Sequence, residues 1–190
     1  MPEDGKRTEI YYFSGTGNSL VVARDIAGKT GGRLLSIPDV MDSESISIDA
    51  DAMGVVFPVY HKSIPLILKR FVERLENLDK TYIFGVCTYG DSPGLAIRHL
   101  GQLVQSRGGQ LAAGFGVHMP YNYLTPSLVL RGFLRSFTLR EISIDKQQAL
   151  FASAQGKIER IAAFVRAGKS GTFEVTSDVL TRLADTLNLP

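Results

Sequence analysis

The fold is decided by residues 8–27, whose sequence is TEIYYFSGTGNSLVVARDIA. The apolar and aromatic residues at 10–13 are typical of a buried strand. Residues 14–19 are all glycine or small and polar, and apolar residues then recur at helical spacing through 20–27. The stretch therefore predicts a strand, a tight turn and a helix in immediate succession.

The turn at 14–19 has the composition of an anion-binding loop. Successive backbone N–H groups and hydroxyls can converge on one point there, and the turn leads into a helix N-terminus, which carries partial positive charge. A phosphate monoester fits such a site without a lysine or a metal ion. The turn lacks the Gly-Lys-Ser/Thr of a nucleoside-triphosphate loop, and Leu20 stands where the dinucleotide fingerprint has a third glycine or alanine. The candidate ligand-binding residues are Ser14, Gly15, Thr16, Gly17, Asn18 and Ser19.

The composition is that of an ordinary globular protein. The chain has 190 residues, of which 44% are hydrophobic and 21% are charged, and this length is enough for one domain with a real core. A net charge of +2 is too small to predict a nucleic-acid partner. We expect one domain over residues 1–190, with residues 1–7 as a loose N-terminus.

Cys87 is the only cysteine, which excludes an intramolecular disulfide and an all-cysteine iron–sulfur cluster within the chain. The N-terminal residues lack the apolar core of a secretory signal, and no apolar run approaches the length of a membrane span. We therefore expect a cytoplasmic protein with no membrane partner. The three histidines are far apart in the sequence, so no metal site is predicted.

Four further apolar runs alternate with segments that contain helical patterns. The runs span residues 33–37, 52–59, 81–87 and 111–117. Short connections between buried apolar strands indicate a parallel sheet covered on both faces. The predicted fold is therefore α/β, a doubly wound five-stranded parallel sheet with the strand order 2-1-3-4-5. The polar residues 39–51 are predicted as a surface connection, and Ser92-Pro93 is predicted to start a helix.

In a sheet of this order, ligands bind at the carboxyl ends of the strands, beside the point where the strand order reverses. The turns after strands 1, 3, 4 and 5 should converge there, and they are residues 14–19, 58–63, 88–93 and 118–123. The second and third of these turns add the candidate ligand-binding residues Pro58, Val59, Tyr60, His61, Thr88, Tyr89, Gly90 and Asp91.

Two segments are longer than this sheet needs. Residues 120–145 are too long for a simple connection and are predicted as an insertion after strand 5, with a short amphipathic helix at 130–137. Asp145 is predicted to cap a long helix that follows the insertion. Residues 170–190 are predicted as a C-terminal extension, with an amphipathic stretch at 179–187.

The turn at 14–19 resembles the phosphate loop of the flavodoxin-like family, which reads S/T-x-T-G-N-T/S. The residues that match this pattern are Ser14, Thr16, Gly17, Asn18 and Ser19. The resemblance implies FMN as the cofactor, with its phosphate bound by these side chains and by backbone N–H groups. The flavin ring is flat and apolar on both faces, so we expect Tyr60 or Tyr89 to stack on it.

A weaker resemblance covers Phe57-Pro58-Val59-Tyr60, Ile64-Pro65 and residues 119–123. These stretches are similar to the flavodoxin-type branch that is usually fused to a ferredoxin domain. Because this chain has no cysteine cluster, the ferredoxin part is absent from it, and a partner iron–sulfur centre would belong to another protein. Loop 58–63 also contains no glycine, where many flavodoxins have one.

The predicted function is electron transfer between redox partners through bound FMN. No acid–base pair is evident in the sequence, so no catalytic residue is predicted. The partner would be a ferredoxin, a reductase or a small-molecule acceptor. The alternative is an NAD(P)H-dependent FMN or quinone reductase on the same fold, whose substrate pocket would involve residues 120–145 or a homodimer. A third reading, a module without a cofactor, conflicts with the intact turn at 14–19. The sequence leaves open whether the protein is an electron-transfer flavoprotein or an oxidoreductase.

Overall fold

The computed structural model describes residues 6–120 and 143–175, and its centre is a six-stranded parallel sheet. The described strands are β1 (Thr8–Tyr12), β2 (Arg33–Ser36), β3 (Ile46–Ser47), β4 (Ala52–Pro58), β5 (Leu75–Glu76), β6 (Tyr82–Tyr89), β7 (Leu111–His118) and β8 (Thr172–Glu174). The main sheet has the order β2-β1-β4-β6-β7-β8, and each neighbouring pair is parallel. β3 and β5 form a separate parallel pair.

Helices cover both faces of the sheet. The described helices are α1 (Asn18–Thr30), α2 (Ile37–Val40), α3 (Leu66–Glu73), α4 (Ala96–Ser106) and α5 (Ile144–Arg166), with a 3-10 turn at Leu78–Lys80. α1 and α5 pack on one face, and α3 and α4 pack on the other. Successive residues of a strand point to opposite faces. Ile10 therefore packs with α1, while Tyr11 packs against Phe71 of α3 at 5.0 Å between ring centroids.

The parallel α/β sheet predicted from the apolar runs is confirmed, but the predicted number of five strands is wrong. β8 adds a sixth strand beside β7, with Phe173 opposite Gly114. Its sequence, Thr-Phe-Glu, lies in the segment predicted as a C-terminal extension and is too short and polar to predict a strand by itself. β8 forms because the edge of β7 offers unpaired backbone N–H and C=O groups.

The sequence predicted residues 39–51 as a surface connection, but part of this segment is buried. Ile46, Ile48 and Ala50 are buried, and Ile46–Ser47 pairs with Leu75–Glu76. Because side chains alternate between the two sides of an extended segment, the isoleucines reach the core while the polar residues between them face outward. The average composition of this segment is polar and therefore does not predict that one side of it is buried.

Helix α4 begins at Ala96, later than the start predicted at Ser92-Pro93. The Ser92 hydroxyl accepts a hydrogen bond from the Gly94 N–H at 3.2 Å, so it closes a local turn instead of capping the helix. Gly94 has a φ of +52°, which no helical residue adopts. Similarly, α5 begins at Ile144 after Ser143, so Asp145 lies in its first turn.

Arg7, the last residue of the segment predicted as a loose N-terminus, contacts two aspartates. The Arg7 N–H donates to the Asp51 carboxylate at 2.8 Å, and its guanidinium contacts the exposed Asp49 carboxylate, also at 2.8 Å. This ion pair lowers the pKa of Asp49.

Other predictions fall outside the described residues. These are the rest of the N-terminus at 1–5, the part of the insertion at 121–142 with its helix at 130–137, and the amphipathic stretch at 179–187. Of the helices that lie within 6–120 and 143–175, none combines the length and the apolar character needed to cross a bilayer.

Candidate functional site

The segments that follow β1, β4, β6 and β7 meet at the carboxyl edge of the sheet. The Val59 N–H donates to the Thr88 carbonyl at 2.9 Å, which joins the segment after β4 to the end of β6. The Met119 N–H donates to the Tyr89 carbonyl, also at 2.9 Å, which joins the end of β6 to the segment after β7. The structure therefore brings together the described parts of the turns that the sequence predicted to converge, while residues 121–123 of the fourth turn lie outside the described residues.

The turn at 14–19 is open to solvent and precedes α1 directly. Gly15 and Thr16 are exposed. Gly17 has a φ of +97°, which favours glycine, and its N–H donates to the Ser14 hydroxyl at 3.0 Å. The first turn of α1, which the structure describes in full, contains no acidic residue. The partial positive charge of this helix end is therefore not neutralised by its own side chains, and the turn favours an anion.

Two predicted ligand residues form a buried link between the turn and the sheet. A hydrogen bond of 2.8 Å joins the hydroxyls of Ser19 and Thr88, and their residues are only 1% and 3% exposed. The Ser19 side chain is thus directed into the protein and not toward solvent. Because α1 and β6 are joined at this point, the hydrogen bond fixes the turn at 14–19 relative to the residues that follow β6.

Asn18 connects the turn to the other side of the candidate site. Its Nδ2 donates to the Pro120 carbonyl at 2.9 Å, across a separation of 102 residues in the sequence. The side chain of this predicted ligand residue therefore helps to fix the turn against the segment that follows β7.

Tyr60 covers part of the turn. Its residue is 43% exposed, and its ring meets the ring of Phe13 edge-on, with centroids 6.3 Å apart. A Cβ atom on Gly15 would lie 2.4 Å from the Tyr60 hydroxyl oxygen. A side chain at position 15 would displace the Tyr60 hydroxyl, which lies directly beside the exposed backbone of the turn.

The residues after Val59 form a two-residue hairpin. Tyr60 and Ser63 exchange two backbone hydrogen bonds, at 3.1 and 2.9 Å. His61 and Lys62 between them have φ values of +49° and +60°. Two positive φ angles are the signature of a type I′ turn, which usually contains Asn-Gly. Each non-glycine residue in this region costs on the order of 1–3 kcal/mol, so this glycine-free hairpin is strained.

Tyr89 lies on the far side of the site. Its ring stacks on His118 with centroids 5.3 Å apart and planes only 3° from parallel. The His118 Nε2–H donates to the Gly90 carbonyl at 3.0 Å. His118 therefore covers one face of Tyr89 and fixes the turn after β6. The remaining predicted ligand residues, Pro58 at the end of β4 and Asp91 on the exposed part of its turn, lie at the same edge.

The site also contains residues that were not in the predicted set. These are Phe13 beside Tyr60, His118 beside Tyr89, and Pro120, which accepts from Asn18. Each lies at or just beyond the carboxyl end of a strand, and this position is the signal from which the sequence could have indicated them. His118 and Pro120 belong to the turn at 118–123 that the sequence predicted to converge here, but their individual side-chain and carbonyl contacts appear only in the structure.

The structure offers no sign of metal or thiol chemistry in the described residues. Within 6–120 and 143–175, no three His, Cys, Asp or Glu side chains are grouped so that they could bind a metal ion. Cys87 is fully buried in β6, and burial raises the pKa of its thiol to about 12. A thiol with that pKa remains protonated at neutral pH, so Cys87 acts as a core residue.

A groove of about 820 Å³ runs along α4, between this helix and the edge formed by β7 and β8. Its lining includes Leu95, Gly101 and Phe173, but none of the predicted ligand residues. The groove is therefore separate from the candidate site at the 14–19 turn.

Comparison with known proteins adds evidence for the fold. No protein-family model matches the chain, and no curated protein matches it either. The WrbA-like flavodoxin protein from Agrobacterium tumefaciens is similar over 86% of this chain and 99% of its own, with 17% identity and a TM-score of 0.50. This similarity shows a flavodoxin-like α/β fold.

Two further solved structures are similar at lower scores. A flavodoxin from the domain Archaea aligns with 83% of this chain and 99% of its own, at 14% identity and a TM-score of 0.47. A flavoprotein in complex with FMN from Lactobacillus acidophilus NCFM aligns with 58% of this chain and 92% of its own, at 14% identity and a TM-score of 0.46.

Proposed function

We propose that this chain binds FMN at the carboxyl edge of its sheet and carries electrons between redox partners. The observation that carries the proposal is the turn at 14–19. It exposes Gly15 and Thr16, is closed by the Ser14–Gly17 hydrogen bond, and leads into a helix whose first turn has no acidic residue. A phosphate monoester has the charge and the acceptor atoms that such a turn can bind.

The residues at this edge fit FMN. Gly15 lets the Tyr60 hydroxyl lie beside the exposed backbone of the turn, and a glycine there leaves backbone N–H groups accessible to a ligand. Tyr60 and Tyr89 provide aromatic surfaces on two sides of the same edge. An aromatic surface next to an anion site matches a ligand with a flat ring and a phosphate.

Each group of residues has a separate role in this proposal. Ser14, Thr16 and Asn18, with the backbone of the turn, bind the phosphate, while Tyr60 or Tyr89 contacts the ring. The backbone at Gly90, which His118 fixes, binds the polar edge of the ring. Bound FMN supplies one- and two-electron transfer, and the protein binds and orients it.

The first experiment tests cofactor binding. Added FMN should shift its absorption bands and lose fluorescence on mixing with the purified protein, whereas riboflavin, which lacks the phosphate, should bind far more weakly. Thr16→Ala should weaken FMN binding about tenfold or more, because it removes a hydroxyl that can bind a charged phosphate. Thr172→Ala on β8 is the matched control and should bind like the wild type. An FMN spectrum that does not change on mixing contradicts the proposal.

The second experiment separates a carrier from a reductase. The hydroxyl, amide and aromatic groups of the described site can bind a flavin in either kind of protein, so the source of the electrons decides between them. In a stopped-flow instrument, bound FMN should be reduced rapidly by a reduced ferredoxin or a reductase and only slowly by NADH or NADPH. Rapid stoichiometric bleaching by NADH or NADPH would instead establish the reductase. Relation to the ferredoxin-fused branch stays a prediction, and reduction by ferredoxin tests it.

A further inference from the structure

The strained hairpin at 60–63 is contacted by the segment that leads into α4. The Lys62 carbonyl accepts a hydrogen bond from the Leu95 N–H at 2.9 Å. A second hydrogen bond, of 2.7 Å, joins the Ser63 hydroxyl to Nδ1 of His99. These contacts join the apex of the hairpin to the residue before α4 and the end of the hairpin to α4 itself.

Gly94 makes the closest approach to the hairpin. A Cβ atom at this position would lie 2.4 Å from the carbonyl oxygen of Lys62 and 2.7 Å from its Cα. Both of these atoms are backbone, so the hairpin itself would have to move to accept a side chain at position 94. The conformation of the hairpin and the glycine at this position are therefore coupled.

The hairpin needs such contacts because its own sequence does not favour its shape. His61 and Lys62 both have positive φ, and neither has the conformational freedom of glycine. Residues in this conformation persist where the surrounding structure determines them. Here the surrounding structure is the segment 94–99.

We propose that Gly94 and His99 are positioning residues for ligand binding: through the hairpin at 60–63 they place Tyr60 over the turn at 14–19. Tyr60 is the first residue of the hairpin, and its hydroxyl adjoins Gly15. A shift of the hairpin therefore moves the phenol that covers the phosphate-binding backbone. The inference rests on the proposed function, since its ligand is FMN.

The first test compares two glycine substitutions at positive φ. Gly94 and Gly108 lie before and after α4 with φ values of +52° and +81°, but only at Gly94 would a Cβ collide with another residue. Gly94→Ala should weaken FMN binding about tenfold, the usual scale of an overpacked contact, and should move the NMR amide signal of Gly15 in the free protein. Gly108→Ala carries similar backbone strain and should change neither quantity. Equal FMN dissociation constants and equal Gly15 shifts in both variants would overturn the inference.

The second test removes the side-chain contact without changing the backbone. His99→Phe keeps a ring but cannot bond to the Ser63 hydroxyl, so it should weaken FMN binding about fivefold, as one lost hydrogen bond does. His99→Asn retains a polar atom near the position of Nδ1 and should restore the wild-type affinity and absorption band shape. In the background of Ser63→Ala, His99→Phe should have no further effect. A fivefold loss that persists in that background would contradict the proposed contact.

The outcomes distinguish this inference from the proposed function. If the wild type binds FMN and the Gly94 and His99 variants bind it equally well, only the positioning role fails. If the wild type does not bind FMN, the proposed function fails. The Gly15 amide shift in the free protein then still decides whether the segment 94–99 positions Tyr60.

Discussion

The buried hydroxyl pair between α1 and β6 makes a quantitative prediction. Thr88→Val keeps the shape of the side chain but removes the only hydroxyl shown to bond with Ser19 at 2.8 Å. Ser19 is 1% exposed, so water cannot replace the lost partner. An unsatisfied buried hydroxyl costs about 1–3 kcal/mol. For a protein of this size, each kcal/mol corresponds to a change in Tm of about 2–4 °C.

The double substitution reveals whether the two hydroxyls stabilise the fold as a pair. Ser19→Ala alone leaves the Thr88 hydroxyl without its partner and should lower the free energy of unfolding by a similar amount. Because Ser19→Ala with Thr88→Val leaves no buried hydroxyl unpaired, the double variant should be no less stable than the worse single variant. Urea denaturation of the cofactor-free protein gives the free energy of unfolding of the wild type, of each single variant and of the double variant. These four values form a double-mutant cycle. Thr172→Val, at a half-buried strand position, is the control for the change from threonine to valine.

The result that would refute this reasoning is additivity. If the double variant loses the sum of the two single losses, to within about 0.5 kcal/mol, the hydroxyls do not depend on each other. The bond would then not be what joins the turn at 14–19 to the end of β6.

Four further predictions concern stability and reactivity. Gly54→Ala should destabilise the fold by about 1–3 kcal/mol in urea denaturation, since its Cβ would lie 2.4 Å from Phe84 in the core. Gly28→Ala should stabilise the fold by about 0.5–1 kcal/mol, because alanine favours the helix more than glycine does and its Cβ would meet no other atom. A lower free energy of unfolding for this variant would contradict the packing around α1. Cys87, whose pKa burial raises to about 12, should react with a thiol reagent at neutral pH only when the protein unfolds; rapid reaction in the folded state would refute its burial. Burial and a nearby arginine lower the pKa of His99 below 6.5, so the folded protein binds fewer protons there than the unfolded chain does. The stability of the wild type relative to His99→Asn should therefore fall as the pH drops below 6.5, and a difference that is constant with pH would contradict this shift.

Some of the site could be predicted because its residues lie close together in the sequence. The six residues 14–19 combine small size, polar atoms and glycine between a strand and a helix, and each of these properties acts locally. The turns after the strands could be assigned to one edge because parallel strands all end on the same side of a sheet. The hairpin at 60–63 shows the limit of this reasoning. Its sequence contains no glycine, yet its apex adopts positive φ, because its contacts with the segment 94–99 outweigh local preference.

The sequence by itself determined the strand–turn–helix unit and the parallel α/β class, because these depend on the period of apolar residues along the chain. Only the tertiary structure decided that Ser19 bonds to Thr88, that Asn18 reaches Pro120, and that Thr172–Glu174 becomes a sixth strand. Each of these features joins residues far apart in the chain. Their stability comes from burial and from hydrogen-bond partners that come together only when the sheet has assembled. Local sequence propensities therefore do not predict them.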